Sequence, residues 1–231
     1  MLNTIRPPLE FLFPPDMGTE LIYSFVIVIC SLMIYYATKE MYELSSYKGL
    51  KYFREAFLFF GVAYFFRYSI KFFLMIFNIN HILDISPMYI GKISLFVFLY
   101  SSSMAVFYLL YSVMWKKWNK SKLKIYLFNL FALVVALIGV SFRGFETDLI
   151  LILALLAFIL FILYSAYHES KDKKKGKSLF VIYLLLAIFG ALNVIDILIP
   201  NFLKLYQLGI YLVSILLFMI ILYKVLKKSG N

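Results

Sequence analysis

The sequence predicts an all-α, polytopic membrane protein that crosses the bilayer seven times, N-terminus outside and C-terminus cytoplasmic. Three observations predict it. With 64% hydrophobic residues, 20% aromatics, 15% charged residues and a mean hydropathy of +0.90, the 231-residue chain is too apolar for a water-soluble domain. Seven separate runs approach the roughly 20 apolar residues that a membrane-crossing helix needs. Lysine and arginine then gather in alternate connections, as short cytoplasmic loops do.

The expected organisation is an extracytoplasmic proline-rich arm over residues 1–19, one seven-helix domain over 20–228 and a short tail at 229–231. The arm, "MLNTIRPPLEFLFPPDMGT", lacks the basic start and long apolar stretch of a cleavable signal peptide. The first crossing, Leu21–Ala37, is therefore expected to act as an uncleaved signal anchor. "TKEMYELSSYKGLKYFRE" (38–55) separates it from the second, Ala56–Phe77, and "NINHILDISP" (78–87) leads to the third, Ile90–Met114. "WKKWNKSKLK" (115–124) precedes the fourth, Ile125–Phe142. The shallow break "RGFETD" (143–148) precedes the fifth, Leu149–Tyr167. "HESKDKKKGKS" (168–178) introduces the sixth, Leu179–Ile199, and Pro200 and Asn201 turn the chain into the seventh, Leu205–Val225.

The first, third and fifth connections and the tail hold seventeen cations, against four (Arg6, Lys92, Arg143, Lys204) on the other side. That asymmetry fixes the predicted orientation and accounts for the net charge of +11. It also excludes nucleic acid as the expected partner, because the cations lie beside Trp115, Trp118, Tyr47 and Tyr52 as interfacial anchors do. Anionic lipid headgroups at the inner loops are the expected partners, in the cell membrane of a prokaryote.

No enzyme is expected. H-E-x-x-H, G-x-S-x-G, the Walker loop and C-x-x-C are all missing, so no metal or cofactor is expected either. His81 and His168 fall on opposite membrane faces, and the last crossing has no internal lysine for a retinal Schiff base. Cys30, the single cysteine, cannot form an intrachain disulfide.

Polar residues inside the apolar runs carry what functional signal there is. An arginine or lysine deep in a crossing costs about 2.5–3.5 kcal/mol on insertion scales, so Arg67 needs a partner, water or an anion. Lys71 lies nearer the outer end and can snorkel to the headgroups. On the sixth crossing Asn193 and Asp196 share a face, as Tyr64, Arg67 and Lys71 do on the second. Gln207, Tyr211 and Ser214 line one face of the seventh, and "YSSS" (100–103) lies mid-way along the third. These place an outward-opening polar cavity among Tyr64, Arg67, Lys71, Ser101, Asn193, Asp196, Gln207 and Tyr211, suited by its positive charge to a small anionic ligand. The same residues can equally serve only to hold helices together, with an Arg67–Asp196 pair as the tie.

Sliding the chain by 129 residues over 20–73 aligns nine identical pairs, among them Phe60-Gly61 with Phe189-Gly190, and sets Tyr64 on Asn193. A three-plus-one-plus-three arrangement of helices would follow from a repeat of that length. "YYATKEMYELSSYKGLKYFREAFLFFGVAYFFRY" (35–68) resembles the seven-helix membrane sensor regions of prokaryotic histidine kinases, over about residues 20–115. The resemblance implies a ligand-sensing scaffold that signals through its inner loops to a cytoplasmic protein partner, since the family's kinase domain has no counterpart here. The helix count and repeat are in turn similar to SWEET-type sugar carriers, which implies a small-solute transporter. A structural membrane protein without a ligand is the third expectation.

Overall fold

A computed structural model describes residues 17–69, 87–115, 122–142, 145–171, 177–198 and 204–229. Among these residues the chain forms seven helices and no strand: α1 (Met17–Ser45), α2 (Lys48–Tyr64), α3 (Pro87–Met114), α4 (Lys122–Ser141), α5 (Phe145–Lys171), α6 (Lys177–Leu198) and α7 (Lys204–Ser229). The described part of each apolar run falls, to within a residue, in one of these helices, the second continuing from α2 into the turn Phe65–Ser69; residues 70–77 of that run lie outside the described residues. Within the described residues α1, α3, α4 and α7 are long and apolar enough to cross a membrane. The protein is thus a helical, multi-pass membrane protein.

Each helix buries a stripe, and all but α2 expose large apolar side chains on the other face. On α1 the stripe is Tyr23, Ile27, Cys30, Ile34 and Thr38, at spacings of three and four. On α7 it is Tyr211, Ser214, Phe218, Ile221 and Val225. Opposite them Ile22, Ile29, Leu212 and Leu216 are exposed, as side chains are where the solvent is hydrocarbon.

The helices pack in a closed ring, α1–α2–α3–α5–α6–α7 and back to α1, with α4 outside it against α3 and α5. The fourth helix is the least buried of the four long spans. Its inner stripe is small, Ala132, Ala136 and Gly139, so its backbone approaches α3 closely. Phe107 stacks on Phe128 at 5.0 Å, and the Tyr100 hydroxyl donates to Asn129 Oδ1 at 2.7 Å. Asn129, one of the polar residues in the apolar runs, is thus a tie between helices.

An aromatic knot fills the ring's middle. Phe218 meets Phe189 at 4.8 Å, Phe57 at 6.0 Å and Phe60 at 6.5 Å, and Phe60 meets Phe189 at 6.4 Å. Phe60 and Phe189 stand 129 positions apart. Gly61 and Gly190 share that offset, and each faces the preceding helix: a Cβ on Gly61 would lie 3.5 Å from Ser31, and one on Gly190 2.6 Å from the Ile159 methyl.

One boundary differs from the sequence reading. The first connection is Ser46 and Tyr47 alone, because both flanking helices continue past their apolar runs. Lys39 and Glu43 pair at i,i+4 on the exposed extension of α1. Arg54, counted above with the loop cations, lies on α2 and is largely buried, paired with Glu55 at 3.1 Å and held over the Tyr35 ring at 5.0 Å. Ser46 closes the turn in the left-handed region, at φ 51.

Gly49 lets α2 meet α3 beside this turn. A Cβ there would stand 2.5 Å from the Tyr47 ring, 2.9 Å from Trp115 Nε1 and 3.0 Å from the Ser112 carbonyl oxygen. Because that oxygen is backbone, it cannot swing away. Gly49→Ala is expected to cost about 1–3 kcal/mol of unfolding free energy, read by denaturant titration in detergent micelles.

Candidate ligand-binding site

The ordinary winding of α2 ends at Tyr64, and Phe65–Ser69 continue as a single π-helical turn that carries Arg67. A π turn closes its hydrogen bonds one residue further along and is a local distortion that needs support. Two serines from neighbouring helices supply it. Ser24 on α1 donates to the Tyr64 carbonyl at 2.9 Å, and Ser94 on α3 donates to the Phe66 carbonyl. The turn is thereby clamped from both sides.

Beside it lies a buried polar cluster. Tyr64 donates its hydroxyl to Asn193 Oδ1, and the Tyr23 hydroxyl sits 3.4 Å from both groups. Asn193 Nδ2 donates to the Phe189 carbonyl at 2.8 Å, which fixes the amide. The Tyr23 ring stacks on Tyr211 at 4.5 Å, and Gln207 Nε2 donates to the Tyr211 hydroxyl at 2.9 Å. Four of the eight residues expected at the site, Tyr64, Asn193, Gln207 and Tyr211, are therefore linked through Tyr23.

A cavity of about 310 Å³ opens on one side of this cluster, between α2 and α3 on one wall and α5 and α6 on the other. Tyr64, Arg67 and Asn193 line it. The Arg67 guanidinium lies 5.3 Å from the centre of the Phe98 ring, which lines the cavity too. Such a contact contributes about 0.5–1 kcal/mol and orients the guanidinium plane. Most of the remaining wall is aliphatic, including Leu99, Val106, Leu109, Ile159, Ile162 and Leu186. At the far end Tyr183 joins the lining, its hydroxyl 2.6 Å from that of Ser112.

The structure does not bring all eight expected residues to the cavity. Gln207 and Tyr211 lie behind Tyr23, and Ser101 is buried while the adjacent Ser102 lines the wall. Lys71 lies outside the described residues. Asp196 is placed by its backbone in α6, and its side chain is outside the description. The cavity is also more apolar than the expected polar pocket, because α3 and α5 turn leucine, isoleucine and valine toward it.

Several residues at the site were missed. Tyr23 and Ser24 are an adjacent pair and Ser94 a lone serine in apolar surroundings, and the serines' partners are carbonyls of another helix. Phe98 and Tyr183 fit the general aromatic background of the chain. Spacing along one helix marks none of them.

An uncharacterized protein of Archaeoglobus fulgidus is 33% identical to the chain over 240 aligned residues, covering 99% of this chain and 98% of its own. The chain belongs to that protein's family. Full-length coverage of both partners means that the family shares all seven helices' worth of sequence, including the stretch that forms the cavity. No family model and no solved structure matches the chain.

Proposed function

We propose that the protein is a membrane ligand-binding protein of the sensing type, taking a small ligand with an anionic group into the cavity beside Arg67. The observation that carries this reading is the joint placement of Arg67, Tyr64 and Asn193 on a cavity of about 310 Å³. Its volume is at the small end of the range for ligand pockets, and its mostly apolar wall with a few polar groups is their usual make-up. The clamped π turn supports the reading, since such turns concentrate at functional sites.

All seven helices cross the cell membrane in this proposal, with the N-terminus outside. The end of the bundle that holds Arg67 and Asn193 then faces outward, and the basic connections meet anionic lipids and a cytoplasmic protein partner. Ligand occupancy reaches that partner through the helices that frame the cavity. Reporter fusions test the frame: one joined within 171–177 should read as cytoplasmic, and an external signal there would overturn the orientation.

A second reading is favoured by a different observation. In the ring, α1–α3 and α5–α7 occupy equivalent places with α4 excluded, and Tyr64 bonds to the residue 129 positions away. Two three-helix halves meeting around a cavity are the arrangement of a small-solute carrier. Uptake of a labelled carboxylate into proteoliposomes would support transport, and saturable binding without uptake would support sensing.

The binding reading itself is tested by native mass spectrometry of the protein taken from its host membranes. An adduct below about 1 kDa is expected on the wild type. It should be weakened or shifted to smaller masses in Ala187→Leu, because Ala187 lines the cavity and the larger side chain shortens the space. A wild-type spectrum free of adducts would overturn the reading.

A further inference from the structure

We infer that the ligand is a single-chain amphiphile, an anionic head on one hydrocarbon chain, with the head at Arg67 and the chain lying along the cavity toward Tyr183. This rests on the ligand-binding reading above and narrows it to a chemical class.

The shape of the cavity carries the inference. On α6 its lining runs from Tyr183 to Val194, and on α3 from Leu95 to Leu109. At 1.5 Å per residue the lining extends about 16 Å along α6 and about 21 Å along α3. A volume of about 310 Å³ spread over such a length makes the cavity elongated along the helices.

Polarity is distributed to match. Arg67, Tyr64 and Asn193 stand together at one end, while the wall between them and Tyr183 is largely aliphatic. A sugar or amino acid placed along that wall would leave its hydroxyl or amide groups without partners, at about 1–3 kcal/mol each. A small inorganic anion would meet Arg67 and leave the apolar length unfilled, where water gains few hydrogen bonds. A chain with one charged end satisfies both parts at once. At the far end Tyr183 is already hydrogen-bonded to Ser112, so it asks nothing of the ligand.

One chemistry admits two sources: a free amphiphile such as a long-chain carboxylate, or one chain of an anionic diacyl lipid entering from the bilayer. Displacement of the fluorescent fatty acid cis-parinarate from protein in zwitterionic nanodiscs separates them. Straight-chain carboxylates from butyrate to stearate form the competitor series, with methyl esters as uncharged controls. Referred to free aqueous concentration, affinity should rise about fourfold per methylene. It should stop rising at the chain that reaches Tyr183, whereas partition into protein-free discs continues to rise. Methyl esters should compete at least tenfold more weakly, and Ala187→Leu should move the plateau to shorter chains.

Competition by dioleoyl phosphatidate equal to that by palmitate supports the inference with the bilayer as source, and palmitate alone supports a free amphiphile. A series flat from butyrate upward, or esters as strong as acids, overturns the inference. An adduct in the native spectra would still leave the broader reading standing in that case. Where Ala187→Leu fails to fold, the wild-type length series and the ester comparison decide the matter alone.

Discussion

Replacing Arg67 by glutamine is expected to weaken binding of an anionic probe by about 10- to 100-fold while the bundle stays folded. A hydrogen bond to a charged group contributes about 1.5–3 kcal/mol in a partly buried setting, which sets that range. Glutamine keeps much of the aliphatic stem and a donor but removes the charge. The fold should tolerate this, because the clamps on the π turn use the backbone carbonyls of Tyr64 and Phe66 and not the arginine side chain. Loss of the contact with Phe98 costs the protein about 0.5–1 kcal/mol. Arg67→Lys should fall between the two, since it restores the charge without the planar fork that both stacks and donates. Titration of cis-parinarate in nanodiscs, with unfolding followed in parallel, reads both quantities. Unchanged probe affinity in Arg67→Gln would remove Arg67 from the site.

Phe218→Ala is expected to be the most damaging single truncation in the ring. Phe218 is fully buried and touches Phe57, Phe60 and Phe189, so it joins α7 to α2 and α6 at once. Buried phenylalanine truncations in water-soluble proteins cost about 3–5 kcal/mol, as lost transfer free energy plus a cavity. Within a bilayer the separated helices are already in an apolar solvent, so the transfer part shrinks and lost packing dominates. About 3 kcal/mol follows, at the low end of the range. Unfolding in mixed micelles with increasing dodecyl sulfate measures it. The exposed Leu216, two positions earlier, is the control, and its alanine variant should change stability by less than about 0.5 kcal/mol. Equal effects at the two positions would mean that the knot does not hold the ring.

Much of the fold was legible because it follows from hydropathy alone. Within the described residues six of the seven apolar runs each fall, to within a residue, in a single helix, and the second passes from α2 into the turn Phe65–Ser69. Part of the site was legible from periodicity: Tyr64 and Arg67 lie three apart on α2 and both reach the cavity, and Gln207 bonds to Tyr211 four residues on. What could not be read lies between helices. The exclusion of α4 from the ring leaves no mark in hydropathy, because lipid and protein interior are equally apolar; only the small stripe Ala132, Ala136, Gly139 hints at it. Ser101 was expected at the site and Ser102 lines it, since one residue of rotation on a helix is about 100°. Arg54 read as a loop cation because the sequence does not reveal how far a helix continues beyond hydrocarbon.

The wide turn at Phe65–Ser69 sets Arg67 out of step with the regular winding of α2, which ends at Tyr64. Phe57 and Phe60 hold α2 in the aromatic knot, and Arg67 takes its direction from this extra residue. Excising a single residue there would let regular winding run through. It would swing Arg67 by about 100° and carry the guanidinium off the cavity wall, with the packing below left in place. The chain therefore holds a natural dial: one amino acid inserted or lost at this point re-aims the charge without rewriting the bundle that supports it.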